Sequence, residues 1–174
     1  GRRQVTVHNG GFENFLFSGI EAYASMSIDN DPMLKQNLKK IAKEDFGYAL
    51  KRFEELGYDE RINKGHGHAY MASQSQYMAS VSWAASMLYR LTGEKYYADK
   101  ATEFINYVIQ CQRTEPLNDI HKTSGFFYRD MNKKSIVHYT HQSRDYVYMQ
   151  ALSELCRTQP NHPDYKKWDN SIRL

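Results

Sequence analysis

The sequence predicts an all-α protein built from helical hairpins, and three observations lead to this class. Every long segment repeats apolar residues at steps of three and four, which is the period of an amphipathic helix. Capping residues, glycines and prolines stand where these segments begin and end. No long alternation of apolar and polar residues interrupts them, and only residues 5–7 and 136–139 could be short extended pieces.

The first two helices have clear boundaries in the sequence. The first is predicted from about Gly11 to Met26. The second is predicted over Pro32–Leu56, because Asp31 is a good capping residue directly before a proline and Gly57 can end a helix. Lysines and glutamates separate its apolar residues, so we expect one face of this helix to be buried.

The third and fourth helices form the most clearly predicted hairpin. Ser73 and Gln76 have the spacing of a capping box, so the third helix starts there and stops at Thr92-Gly93. The fourth begins at once at Glu94, and such a short turn requires antiparallel packing.

Two further helices complete three hairpins, one from about Gln142 to Arg157 and a last one that begins at Pro163. The turns within hairpins are short, but long loops at residues 57–72 and 112–140 join one hairpin to the next. Long loops on a helical scaffold commonly carry function.

Composition excludes several classes of protein. The 174 residues carry a net charge of +3, and the basic residues are scattered as short pairs rather than gathered in a stripe, so we expect no nucleic-acid partner. No apolar run is long enough for a membrane span, and the first residues lack a signal-peptide core. Cys111 and Cys156 lack metal-ligand spacing and favour two buried thiols, with one disulfide as the alternative.

The first loop offers one candidate binding group. In GHGHAY, residues 65–70, His66 and His68 alternate on a glycine-rich stretch and Tyr70 follows. Two imidazoles at this spacing could bind one metal, but no third ligand is nearby, so the sequence predicts no metal or other cofactor. Contact with a hydroxyl-rich ligand is the preferred interpretation, and a polar surface loop is the alternative.

The second candidate group lies in HYTHQSRDYVY, residues 138–148, at a predicted helix start. His138 would lie just outside the helix, while His141 and Asp145, four apart, would share one face with Arg144 close by. These residues could bind the hydroxyl or carboxylate groups of a saccharide. Equally, Asp145 could complement the helix N-terminus while the histidines pack against tyrosines.

Residues 73–112 combine a helix of small residues, the turn LTGE, the segment YYADKA and a second helix ending in CQ. This phrase resembles the hairpins of six-hairpin glycosidases, which are (α/α)6 toroids, and NHPDYKKW at residues 161–168 looks like the start of another. Within that superfamily the chain resembles glycoside hydrolase family 9 and related polysaccharide enzymes. The resemblance implies a helical domain over residues 1–174 that is part of a larger catalytic domain, with a poly- or oligosaccharide as substrate.

The chain also departs from that family. It contains neither the DAGDH-like segment nor the downstream glutamate, so no catalytic residue can be assigned. The last helix runs to Leu174 without a terminating glycine, which leads us to expect a second fragment or copy that completes the toroid. The resemblance further implies a periplasmic or secreted enzyme of polysaccharide degradation.

Two other functions stay open. A polysaccharide lyase or sugar epimerase on the same barrel could move protons with histidine and tyrosine alone. A helical-repeat interaction module is disfavoured because no fixed period near 34 residues is present. Trp83, between small residues, is predicted to lie in the core, and the lone carboxylates Glu21, Asp45 and Asp130 are not assigned a role.

Overall fold

A computed structural model describes residues 11–58, 73–137 and 146–174 of the chain. Within these ranges it contains six helices and no strand, which confirms the predicted all-α class. The helices are α1 (Phe12–Ser27), α2 (Pro32–Leu56), α3 (Gln74–Thr92), α4 (Lys95–Gln110), α5 (Tyr146–Thr158) and α6 (Tyr165–Arg173). At the start of the extended piece predicted at residues 136–139, Ile136 forms an isolated bridge with Tyr128. Residues 138–139 and 5–7 lie outside the described ranges.

The helix ends follow from capping chemistry that the sequence displays. The Asp31 side chain accepts a hydrogen bond from the backbone N–H of Leu34, and Gly57 ends α2 with a positive φ of 65°. Both hydrogen bonds of the Ser73–Gln76 capping box are present at the start of α3. Helix α6 starts at Tyr165 rather than at the predicted Pro163.

Two of the hairpins show their antiparallel direction in side-chain hydrogen bonds. Ser18 Oγ donates to the carbonyl of Ala42 at 2.7 Å, and Ser25 Oγ donates to that of Lys35 at 2.9 Å, so α2 runs back along α1. Ser82 Oγ on α3 donates to the carbonyl of Ala101 on α4 in the same way. Helices α5 and α6 also pack together.

Helices α1, α3 and α5 run parallel in one layer, here named the front layer, with α3 in the middle. The ring of Phe12 stacks on that of Tyr77 where α1 and α3 begin. Further along the same two helices, Gly19 lies against the ring of Trp83. Between α3 and α5, Ser75 bonds Tyr148 at the start and Arg90 lies 3.6 Å from Glu154 towards the end. Helices α2 and α4 run in the opposite direction behind this layer.

An aromatic cluster holds the front layer against α2 and α4. The rings of Phe15, Phe46 and Tyr97 meet edge to face, with centroids about 5.3–5.5 Å apart for each neighbouring pair. Phe53 on α2 contacts the front layer through the ring of Tyr77 on α3, and it also contacts the ring of Phe104 on α4. These rings fill the space that the small residues of α3 leave between the helices.

The described part of the second long loop covers the end of the array where α3 and α5 begin. The ring of Phe127 stacks on that of Tyr148 with centroids 4.0 Å apart, and the carbonyl of Arg129 accepts a hydrogen bond from the N–H of Ser75. Buried Gln112 donates to the carbonyls of Gly125 and Ser171. This loop therefore has a defined structure over the residues described.

Candidate functional site

The candidate residues from the sequence lie outside the described residues. They are His66, His68, Tyr70, His138, His141 and Arg144. Both groups lie on loops that join one hairpin to the next, and such loops fall at one common end of an antiparallel array, so we expect the two groups to line one cleft. This stays a prediction.

The described residues that flank those two segments meet at one end of the helical array. Tyr58, which precedes the first segment, packs its ring edge to face on Tyr77 near the start of α3. Ser75, soon after that segment, bonds Tyr148, which follows the second. Both segments thus leave and re-enter the described fold at the end where α3 and α5 begin.

A groove, named here the front groove, runs along the face of the front layer that points away from α2 and α4. It consists of two adjoining cavities of about 420 and 300 Å³ that share Trp83 and Gln150. The larger is also lined by Tyr23, Met87, Arg90, Ser153, Glu154 and Arg157. The smaller is also lined by Leu16, Ile20, Ser80, Tyr146 and Val147. Each of the three parallel helices thus contributes to the lining.

Trp83 lies at the centre of the groove, and the prediction that it belongs to the core is confirmed only in part, because its ring packs against the core but stays partly exposed. Its ring is partly buried and lines both cavities. The cause is Gly19 on α1, where a Cβ would come within 2.8 Å of the ring atom Cε3 and 2.9 Å of Cη2. The missing side chain of Gly19 lets the indole lie across α1 and face the groove.

One end of the groove is polar and charged. Glu154 on α5, with a side chain 12% exposed, lies 2.9 Å from Nη2 of Arg157 on the same helix. Its Oε1 is also 3.6 Å from Nη1 of Arg90 on α3. Burial raises the pKa of the Glu154 carboxyl, and the Arg90 guanidinium opposes that shift. Two guanidinium groups thus approach one carboxylate.

Aromatic and apolar side chains dominate the rest of the groove. Tyr146, the first described residue of α5, is 63% exposed, and Tyr23 on α1 is 56% exposed. Ile20 on α1 is also exposed and lines the smaller cavity together with Tyr146. Gln150, which lines both cavities, adds an amide donor and acceptor beside these rings. Such a surface presents flat apolar faces with a few polar groups, as small-molecule sites commonly do.

The carboxylates singled out in the sequence do not line the groove. Asp45 on α2 accepts a hydrogen bond from the side-chain amide of Asn14 on α1. Glu21 lies near Asp45, and its buried Oε2 has no partner among the described residues. Asp130 caps a loop turn by accepting from the backbone N–H of Asn132. Within the described ranges no three His, Cys, Asp or Glu residues are grouped to hold a metal.

Both cysteines are free thiols, as the sequence favours, but only one of the two is fully buried. Cys111 is fully buried, and burial raises its pKa to about 12. Cys156 is half-buried, and burial raises its pKa as well. Neither lines the front groove.

Most residues of the front groove were not singled out from the sequence, although a helical signal was present. Trp83, Met87 and Arg90 follow at steps of four and three, as do Gln150, Glu154 and Arg157. Each trio therefore marks one helix face. What the sequence could not show is that these two faces, with part of α1, border the same groove.

Comparison with known proteins gives no relative. No family model matches the chain, and no curated protein or solved structure matches it. None of the helices in the three described ranges combines the length and hydropathy that crossing a membrane requires.

Proposed function

We propose that the chain forms part of a carbohydrate-active enzyme, a glycoside hydrolase acting on a poly- or oligosaccharide, and that the front groove is part of its substrate cleft. The observation that carries this proposal is the lining of the groove. Tyr23, Trp83 and Tyr146 offer aromatic faces beside the hydrogen-bonding groups of Gln150 and Arg90. Pyranose rings have apolar faces and hydroxyl edges, so they match this combination of groups.

The helix order supports an arc of an (α/α)6 toroid as the architecture. In such a toroid, parallel inner helices alternate with outer helices that run the opposite way. The front layer alternates in this way with α2 and α4, and α6 packs on α5 as the last helix of the third hairpin. The front groove would then face the centre of the ring, and the histidine-bearing segments would enter from the end where α3 and α5 begin.

An apolar edge supports the further proposal that another helical hairpin, from a second copy or fragment, packs beside α1 and α2. Leu34, Ile41 and Tyr48 recur every seven residues along α2 and are 42–46% exposed. Phe17 on the neighbouring α1 is 54% exposed. A row of this kind commonly marks an association surface.

The proposal does not include a catalytic residue. Hydrolysis of a glycosidic bond commonly uses two carboxylates, one on each side of the bond. Among the described residues that line the front groove, Glu154 is the one carboxylate, and two arginines surround it. The catalytic pair, the periplasmic or secreted location and the roles of His141 and Arg144 therefore stay predictions.

A binding experiment tests the proposed function. We expect Tyr146→Ala to weaken binding of soluble oligosaccharides by about fivefold, because an aromatic stacking partner contributes on the order of 1 kcal/mol. Isothermal titration against a panel of neutral and acidic oligosaccharides measures this. The thermal midpoint should change little, since Tyr146 is largely exposed.

Tyr96→Ala is the matched control. Tyr96 is a tyrosine of similar exposure on α4, outside the front groove, and it should leave saccharide binding unchanged. Binding of peptides but of no saccharide in the panel would contradict the proposal and favour an interaction module.

A further inference from the structure

We infer that the charged end of the front groove is a subsite for a sugar carboxylate, so that the saccharide bound there is a uronic acid. This inference rests on the proposed function and narrows its substrate class. It follows from the arrangement of Arg90, Glu154 and Arg157, which line the larger cavity together with Tyr23 and Trp83.

The charge of this end is positive. Among the residues that line the larger cavity, two arginines stand against one glutamate, and no other lining residue is charged. One positive charge is therefore left over where a ligand would lie. A neutral saccharide would leave that charge without an ionic partner, whereas a uronate would supply one.

The hydrogen bonds assign different tasks to the two arginines. Arg157 and Glu154 are three residues apart on α5, and Nη2 of Arg157 lies 2.9 Å from Oε2 of Glu154. This pair therefore forms within one helix and does not require α3. Arg90 reaches the same carboxylate from α3 only to 3.6 Å, which is an ion pair without a hydrogen bond. Its N–H groups donate to no described residue.

Arg90 therefore holds a planar set of donors at the cavity wall. A guanidinium group binds a carboxylate with two parallel hydrogen bonds, which a hydroxyl group cannot accept in that geometry. Glu154 limits how far the guanidinium can move, because it attracts Arg90 from one side. Trp83 and Tyr23 lie in the same cavity and offer faces for the pyranose ring that carries the carboxylate.

Matched ligands test the inference. The probes are trimers of galacturonate, glucuronate and mannuronate, each compared by titration with its methyl ester, which keeps the sugar and removes the charge. We expect at least one acid to bind about tenfold or more tightly than its ester, with the difference shrinking as salt is added. Equal binding of acid and ester would overturn the inference but leave the proposed function standing. Failure of these probes and of the neutral panel would overturn both.

Substitutions locate the effect. Arg90→Gln should reduce binding of the preferred acid by about tenfold and leave binding of the ester within about twofold. Arg90→Lys keeps the charge without the planar donors and should fall between. Arg173→Gln removes the same charge from α6, where Arg173 pairs with Asp169 outside the groove, and should change neither affinity.

The alternative role for Arg90 is structural. The inference fails if Arg90→Gln weakens binding of the acid and of the ester equally. It also fails if Arg90→Gln lowers the thermal midpoint while Arg90→Lys binds the acid and the ester as tightly as the original chain does, because Arg90 would then only connect α3 to α5.

Discussion

Gly19→Ala should destabilise the protein, although alanine is the better helix former. A helix-interior glycine costs roughly 0.5–1 kcal/mol relative to alanine, so the substitution alone would stabilise α1. The added Cβ, however, would lie within 2.9 Å of three ring atoms of Trp83, and overpacking of this kind costs about 1–3 kcal/mol. The net expectation is a loss of about 1 kcal/mol, or about 2–4 °C in Tm for a chain of this size.

A double-mutant cycle separates the two contributions. When Trp83→Ala removes the ring, the same Gly19→Ala change should become stabilising by roughly 0.5–1 kcal/mol. Urea unfolding followed by circular dichroism gives the free energy of unfolding for all four proteins. Gly47 on α2 is the control, because a Cβ there would meet nothing within 4 Å, and Gly47→Ala should stabilise both backgrounds.

The sign of the Gly19 effect decides the question. If Gly19→Ala stabilises the chain whether or not Trp83 is present, the indole does not lie across Gly19. The placement of Trp83 in the front groove would then be wrong as well. If the sign reverses as expected, Gly19→Ala should also weaken saccharide binding, because the displaced ring moves within the groove.

Two further predictions concern ionisable groups. Burial, with a smaller contribution from Asp45, raises the folded-state pKa of Glu21 above its ordinary value of 4.5. The folded state therefore favours the protonated carboxyl, and the free energy of unfolding decreases as pH rises through the raised pKa. Glu21→Gln should therefore raise the free energy of unfolding relative to the original chain at pH 7. This gain should shrink as pH falls through the raised pKa and be lost by about pH 4.5, and a gain that does not change with pH would contradict the assignment. The second prediction is that a thiol reagent modifies half-buried Cys156 in the native chain, whereas Cys111 reacts only after unfolding. Fast modification of both cysteines in the native chain would contradict the burial of Cys111.

The helix ends were predictable because each is determined by residues close in sequence. Asp31 and Gly57 bound α2, and the Ser73–Gln76 pair starts α3, as the local chemistry requires. The burial of α2 was less predictable, since Leu34 and Ile41 share the helical period of its core residues and yet remain exposed. Periodicity gives the apolar stripe of a helix but not how much of that stripe a neighbouring helix covers.

The front groove was not predictable from local signals, because its side chains come from three helices far apart in sequence. Trp83 shows the difficulty. Its sequence neighbours are small, which is typical of a packed helix, and only the glycine 64 positions earlier explains why the ring lies partly exposed. The contact of Arg90 with Glu154 likewise requires that α3 and α5 run parallel with these two residues side by side. The hairpin pattern implies the parallel direction but does not show which residues of the two helices lie next to each other.

The small residues of α3 connect the fold to the groove. Helices α1, α4 and α5 all pack on α3, and they can approach it closely because much of its surface consists of alanine and serine. Ser82 bonds α4 and Ser75 bonds α5, so these positions join the helices directly. The larger side chains Trp83 and Arg90 lie on the remaining face, between α1 and α5. Enlarging a small residue of α3 would therefore separate the helices that form the walls of the groove, whereas changing Arg90 would alter its charge and leave those walls in place.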